Sequence, residues 1–466
     1  MERTTAKKNK YEIDMCNGTI MDKLISFSLP LMLSGILQLM FNAVDIIVVG
    51  RFSGSQALAA VGSTSALINV FTNLFIGISL GANVLTARFY AAGRGKEVSE
   101  TVHTAITLAL VSGIVMALVG LVFSKGALAL MGTPDDVIGL SALYMRIYFL
   151  GMPFFMLYNY GAAILRAVGD TKRPLLFLMI AGVINACLNI VLDILFVAVF
   201  HWGISGVAIA TVISQMISCV LVLRCLCRSE SSYRLRFSEL GMKGYYLKQI
   251  FSVGVPAGIQ STVINFSNVL LQSSVNSFGS TAMAGYTAAN NLLGFLYVSV
   301  NSITQACMSF TSQNYGVGKL KRMDRVLADC MILSVVVAVV LGCICYGFGP
   351  EILQIYTEDA EVIACGMEIL AYTTITYFLC GWMDLFPGAL RGMGYSAVPM
   401  VLSVIGTVGT RVVWIFGIFP YHRSLAILFI SYPASWIITI VLQVICFYFV
   451  RRRVHRRSQA LAGQEA

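Results

Sequence analysis

The sequence predicts an all-α polytopic membrane protein: twelve transmembrane helices in two pseudo-symmetric six-helix bundles, with both termini cytoplasmic. Three observations predict it. Of the 466 residues, 58% are hydrophobic and only 12% charged, where soluble domains carry roughly a quarter charged residues. Apolar runs longer than about 18 residues recur along the whole chain, each long enough to cross a bilayer. The basic residues crowd into alternate connections, which is the positive-inside pattern. That distribution accounts for the formal charge of +10 without a nucleic-acid partner. Short strands of period two, the mark of a membrane barrel, are not found.

Taken in order, residues 1–23 form a cytoplasmic tail, and its start "MERTTAKKNK" is expected to be disordered. The first apolar run is too long for the core of a cleavable signal peptide. The first lobe, 24–226, holds spans at 24–50, 57–88, 98–123, 138–165, 174–200 and 203–226. A cytoplasmic linker follows at 227–246. The second lobe, 247–450, holds spans at 247–276, 282–314, 326–348, 362–390, 397–419 and 425–450, and a basic tail ends the chain at 451–466. Arg88, Arg94, Lys96, Lys172, Arg173, Arg228, Arg234, Arg236, Lys319, Lys321, Arg322 and the "RRRVHRR" tail share the side of the termini. The opposite side has Arg51, Lys125, Arg146 and Arg423, with acids such as Asp135, Asp136, Glu351 and Glu358. In the linker, Phe237, Leu240, Tyr245 and Tyr246 are mixed with basic residues. They suit an interfacial amphipathic segment and an ordinary polar connection equally.

The two halves repeat. "LRAVGDTKRP" from Leu165 returns as "LRGMGYSAVP" from Leu390, and "YAAGR" from Tyr90 as "YGVGK" from Tyr315. Pro30 pairs with Pro256 and Asn42 with Asn268. Several matches in order at one spacing indicate duplication. With six spans per half the repeats are parallel, an arrangement in which secondary transporters place a substrate site between the halves.

Ionisable residues inside spans are expensive and are candidates for function by default. Asp45 and Asp193 are the clear cases in the first half. At 1.5 Å per residue, Asp45, Asp193 and Thr211 fall at one level in the outer half of the bundle. Gln38, Asn42 and Asp45 share one helix face, as do Asn185, Asn189 and Asp193. Two nearby carboxylates in a low dielectric resist joint ionisation. Such a pair takes a proton or holds Na⁺ with help from Asn189 and Thr211, or it serves only as a structural hydrogen-bond network.

In the second half, Asp384 is the repeat partner of Asn159, and Arg411 sits in span eleven. These three are candidate substrate or second-lobe contacts, with a structural Asp384–Arg411 pair as the alternative. Pro30, Pro153, Pro256 and Pro387 lie within spans, where prolines usually kink a helix. Twelve cysteines and four histidines form no zinc spacing. No metal centre or cofactor is expected beyond Na⁺ or H⁺ as the coupling ion.

The chain resembles the MATE family, the multidrug and toxic-compound extrusion transporters, from about Leu24 to Val450. The resemblance is carried by "FNAVDIIVVGRFSGSQALAAVG", by "LNIVLDILFV" with "GVAIATVISQ", and by "GALRGMG" with "AILRAVGDTKRP". It implies two six-helix lobes around a cleft, exporting organic cations or drugs against inward Na⁺ or H⁺. It implies a cation site at Gln38, Asp45, Asn189, Asp193 and Thr211, and a bend of the first helix at Pro30 tied to transport. One branch of the family also has acids on helices seven and ten. Here "GVPAGIQSTVINFSNVLL" has none, and Cys380 takes the place of the helix-ten acid. The sequence is thus closer to the branch relying on the first-lobe aspartates.

The expected function is cation-coupled antiport of amphipathic organic cations across the plasma membrane by a monomer. The alternatives are a flippase for a lipid-linked saccharide, or an exporter of one metabolite. A flippase more often has extra helices and a strongly cationic cavity. A membrane-embedded enzyme would need a nucleophile–base pair or metal set at one depth, and none appears. A receptor or structural role would leave Asp45 and Asp193 unexplained.

Overall fold

The computed structural model describes residues 11–48, 54–130, 133, 135–184 and 204–465. Among these the regular structure is helical. The helices are α1 (Met21–Val48), α2 (Gly54–Ala91), α3 (Gly95–Leu130), α4 (Asp135–Leu150), α5 (Met152–Ala167), α6 (172–184) and α7 (Ile204–Cys227). They continue as α8 (Gly244–Asn276), α9 (Ser280–Gly316), α10 (Leu320–Gly347), α11 (Gly349–Gln354), α12 (Ala360–Thr373), α13 (Tyr377–Gly392), α14 (Ala397–Ile418) and α15 (Leu425–Glu465). Seven described helices are long and apolar enough to cross a membrane, or up to nine when each of two bent pairs is one span. The chain is a multi-pass membrane protein.

Two compact units divide the chain. The first is Met1–Ile13 with Ile36–Gly258, and the second is Asp14–Gly35 with Ile259–Ala466. The sequence reading split the halves at the linker, whereas here α1 and α8 each contribute to both units. Local packing explains the assignment of α8. A Cβ on Gly254 would fall 2.5 Å from Ile78 Cα, and one on Gly258 2.4 Å from the Leu74 carbonyl oxygen. Bare glycine backbone therefore lets the first part of α8 lie directly on α2, the close approach that small residues permit in membrane helices. In the second unit, a Cβ on Gly35 of α1 would fall 2.1 Å from the Val298 side chain of α9.

In the first unit α5 is the central helix, packed on α2, α3 and α7. Asn83 of α2 is buried and donates to the Ala163 carbonyl at 2.9 Å. In the second unit α9 has that place, against α10, α12 and α13. Tyr377 meets Trp436 edge-on at 5.6 Å there.

Two expected single spans are bent. α4 and α5 meet at 46° around Gly151, where Pro153 in the first turn of α5 removes a backbone donor. α12 and α13 meet at 51°, but the break lies at 374–376 and not at Pro387, which sits inside α13. The cause is a threonine run. Thr373, Thr374 and Thr376 donate their hydroxyls to the Ile369, Leu370 and Tyr372 carbonyls at 2.7, 2.6 and 2.9 Å. Such back-bonding bends helices. α14 widens to π-helix over Val404–Gly409 and again over Trp414–Ile418.

The terminal segments are ordered wherever they are described. Glu12 accepts from the hydroxyls of Tyr90 and Tyr233, both at 2.7 Å, within the first unit. In the second unit Lys319 donates to the Cys16 carbonyl at 2.9 Å, and Arg322 to those of Met15, Gly18 and Asn17 at 3.2, 2.9 and 3.1 Å. The "MERTTAKKNK" start lies outside the described residues. The basic tail is no separate segment: α15 runs on for 41 residues, and Arg451 makes a two-pronged pair with Asp324 of α10 at 2.7 and 2.6 Å.

Candidate functional site

The first-unit site is built on α1, α6 and α7. Leu37 and Phe41 of α1 pack against the first unit's core, and a Cβ on Gly182 of α6 would fall 1.9 Å from the Phe41 ring. One residue earlier on α6, the Ala181 carbonyl accepts from Ser214 of α7 at 3.1 Å. The three helices therefore converge at residues 181–182, where glycine leaves room for the aromatic ring. Gln38 and Asn42 flank Phe41 on the adjacent face of α1 and are exposed. Thr211 is half-buried on α7, about one turn from Ser214. The structure thus brings together the helices of Gln38 and Thr211. Asp45 continues the Gln38–Asn42 face on the helical backbone of α1. Asn189 and Asp193 lie outside the described residues, as does the Asp45 side chain.

The second unit is built differently. Arg411 is 3% exposed, between the two π-helical stretches of α14. It donates to Asn268 Oδ1 at 2.7 Å and Ser267 Oγ at 3.2 Å, and its guanidinium lies 4.6 Å from the Tyr432 ring centroid. The Tyr432 hydroxyl is in turn 3.1 Å from that of Tyr286. The suggested Asp384–Arg411 ion pair is therefore not formed: Arg411 is held by amide, hydroxyl and ring. Asp384 is half-buried on α13, and Arg391 stands two turns along the same helix. Arg391 donates to Gln260 Oε1 at 2.6 Å within the protein. Asn159, the repeat partner of Asp384, turns its amide back to the Phe155 carbonyl at 2.8 Å. The repeat has diverged in use: Asn42 is exposed, while its counterpart Asn268 is spent on a buried arginine.

Sequence reading missed Gln260, Ser267, Tyr432 and His103. His103 Nδ1 lies 2.7 Å from the Ser99 carbonyl and Nε2 lies 3.0 Å from the Arg236 N–H. A carbonyl only accepts and an N–H only donates, so the proton is on Nδ1 and Nε2 accepts. A lone histidine in a helix gives no sign of this. The available signal was position, one residue before Thr104 on the face later met by the linker.

The sequence model of MatE matches twice, over residues 30–191 and 256–416. The chain belongs to the MatE family. The two matches start 226 residues apart and end 225 apart, which establishes the duplication read from "LRAVGD" and "LRGMGY". The "Probable multidrug resistance protein YoeA" of Bacillus subtilis is 31% identical over 437 residues, covering 92% of this chain and 93% of the relative. "Multidrug export protein MepA" of Staphylococcus aureus is 23% identical over 386 residues, with 82% and 84% covered. Among solved structures, an outward-facing MATE-family multidrug resistance transporter of the MOP superfamily matches with a TM-score of 0.84 at 20% identity. It covers 97% of this chain and 99% of that one. A MOP superfamily transporter from Pyrococcus furiosus, described as having a binding pocket of reverse polarity, matches with a TM-score of 0.85 at 21% identity, with 97% and 99% covered. This MatE chain is a membrane transporter and not an enzyme.

Proposed function

We propose that this MatE protein is a secondary active antiporter exporting amphipathic organic cations from the cytoplasm, driven by inward Na⁺ or H⁺. The proposed topology has twelve spans in two parallel six-helix lobes, both termini cytoplasmic, acting as a monomer by alternating access. The observation that carries the reading is the convergence of α1, α6 and α7 at Gly182. It gathers the helix of Gln38 and Asn42 with that of Thr211 in a chain whose curated relatives are named for multidrug resistance and export.

In this reading Asp45 and Asp193 are the coupling carboxylates. Two carboxylates close together in a low dielectric do not both ionise without a cation. Either a proton or Na⁺ serves, with Gln38, Asn189 and Thr211 supplying oxygen atoms. The cation leaves as the substrate is taken up, and α1 bends near Pro30 during the cycle. Asp384, not neutralised by Arg411, is the second-lobe contact for a cationic substrate, with Asn159 as its uncharged counterpart.

Transport into everted vesicles tests this, with Na⁺ and H⁺ gradients imposed separately on wild type, Asp45→Asn and Asp193→Asn. One gradient should drive accumulation of a fluorescent organic cation, and both variants should reach the membrane and lose that coupling. Variants that keep full coupled transport would remove the aspartates from the mechanism. A second reading is favoured by one observation: the second unit buries two arginines, Arg391 and Arg411. That charge suits a substrate with an acidic group, such as a lipid-linked saccharide or an acidic metabolite. Transport of an organic anion, with none of an organic cation, would establish it.

A further inference from the structure

The connection from α7 to α8 is held in one conformation by α3. The Arg236 N–H donates to His103 Nε2 at 3.0 Å, the Gly241 N–H to Thr107 Oγ1 at 3.1 Å and the Lys243 N–H to Thr104 Oγ1 at 3.3 Å. The Lys243 side chain pairs with Glu100. His103, Thr104 and Thr107 share one stripe of α3, so the linker backbone lies along the first turns of that helix. Tyr233 and Leu235 point inward and are buried. Phe237, Met242 and Tyr245 point outward and remain 63%, 47% and 68% exposed. Fixed backbone holds these large apolar groups outward.

Their level relative to the bilayer can be read from α3. Its exposed apolar surface begins at Leu110 and Val111 and continues through Ile114, Val115, Leu118 and Val122. This is the surface a membrane helix turns to lipid. Thr107, which holds Gly241, is three residues before Leu110, about 4.5 Å along the axis. The apolar face of the linker therefore lies beside the turns of α3 that lead into the lipid-facing belt, with Gly241 nearest its edge. That level is where aromatic and amphipathic side chains settle between headgroups and acyl chains. Arg228 and Arg234 are exposed on the same segment, and among the described residues neither makes an ion pair. Arg236 is paired with Glu239 at 2.8 Å and Lys243 with Glu100, so Arg228 and Arg234, with the single exposed acid Glu230 between them, are the charges of the segment without an ion pair among the described residues, a net positive set.

We propose that residues 228–245 form an interfacial anchor. In it Phe237, Met242 and Tyr245 enter the headgroup–acyl boundary, while Arg228 and Arg234 bind the phosphates of anionic phospholipid. The proposed topology is needed only to name the leaflet, which is the cytoplasmic one. Basic residues beside a negatively charged leaflet each contribute about fivefold in affinity.

The test is photo-crosslinking of the full chain in nanodiscs. The probe lipid carries a diazirine at the glycerol end of one acyl chain, on either phosphatidylglycerol or phosphatidylcholine, at equal mole fraction. Mass spectrometry should find adducts on the peptide bearing Phe237, Met242 and Tyr245, about fivefold or more in excess for phosphatidylglycerol. Arg228→Gln/Arg234→Gln should bring that yield down to the phosphatidylcholine level, with adducts on the peptide bearing Leu118 and Val122 unchanged. Labelling at Leu118 and Val122 with none on the linker would overturn the anchor. Equal yields from the two lipids in wild type would overturn the anionic partner. A preference that survives the double variant would overturn the role of the two arginines. None of these readouts depends on transport.

Discussion

Arg411 and Asn268 should respond to mutation in the reverse order of their size. Arg411→Met removes a buried cation and leaves Asn268 as a neutral amide missing one partner, a cost of about 1–2 kcal/mol. Asn268→Leu deletes the 2.7 Å acceptor and leaves the guanidinium with Ser267 at 3.2 Å and the Tyr432 ring at 4.6 Å. Losing a hydrogen bond to a buried charge in this way costs about 1.5–3 kcal/mol or more. The smaller side chain is therefore the more damaging loss, and Asn268→Leu/Arg411→Met should recover most of the difference. Unfolding can be followed with a thiol-reactive dye on the purified protein in detergent, because Cys307, Cys330 and Cys380 are buried. Asn268→Leu should unfold well below Arg411→Met, and the double variant close to Arg411→Met. An Arg411→Met protein less stable than Asn268→Leu would refute the view that the amide exists to hold the cation.

Other perturbations have equally definite outcomes. Gly254→Ala forces a methyl against Ile78 backbone, so the same dye assay should register a loss of about 1–3 kcal/mol. Gly126→Ala, with nothing within 4 Å of the added carbon, should match wild type. Glu12→Gln keeps an oxygen acceptor for one of the Tyr90 and Tyr233 hydroxyls and offers its NH2 to the oxygen of the other, so limited proteolysis should leave residues 11–13 protected. Glu12→Ala should expose them, at a cost of about 1–2 kcal/mol for two lost bonds. Glu239 is held below the ordinary carboxylate value of 4.5, first by its hydrogen bond from Arg236. Its contribution is therefore complete above that value and lost as pH falls further, so hydrogen exchange of residues 236–239 should quicken on acidification below 4.5. Glu239→Gln should remove that pH dependence.

Periodicity and repetition made much of this fold legible. The 226-residue shift between Pro30 and Pro256 is a property of the chain alone, and the sequence model that matches twice reproduces it. The bend at Gly151 was also within reach, since Pro153 lacks a donor whatever surrounds it. The bend at 374–376 was not, because a threonine hydroxyl can bond outward or back, and packing chooses. The same holds for Arg411. Sequence offered Asp384 as its partner because charge is the visible attribute. Tertiary packing gave it Asn268 and Tyr432 instead, which hydropathy cannot distinguish from other polar and aromatic residues. The π-helical stretches beside Arg411 have no signature in composition at all. In the candidate site, helical spacing correctly put Gln38 and Asn42 on one face, but the part of Gly182 emerged only from its approach to Phe41.

The division of α1 and α8 between the units has a mechanical consequence. Each is one continuous helix whose residues fall in two units, with the changeover at residue 35 in α1 and 258 in α8. In both helices a proline stands just before the changeover, Pro30 and Pro256, where a backbone hydrogen bond is already missing. Each helix is therefore weakest beside its own changeover. A bending load on either helix would be taken up there first, as in a shaft with a flexible coupling cut into it.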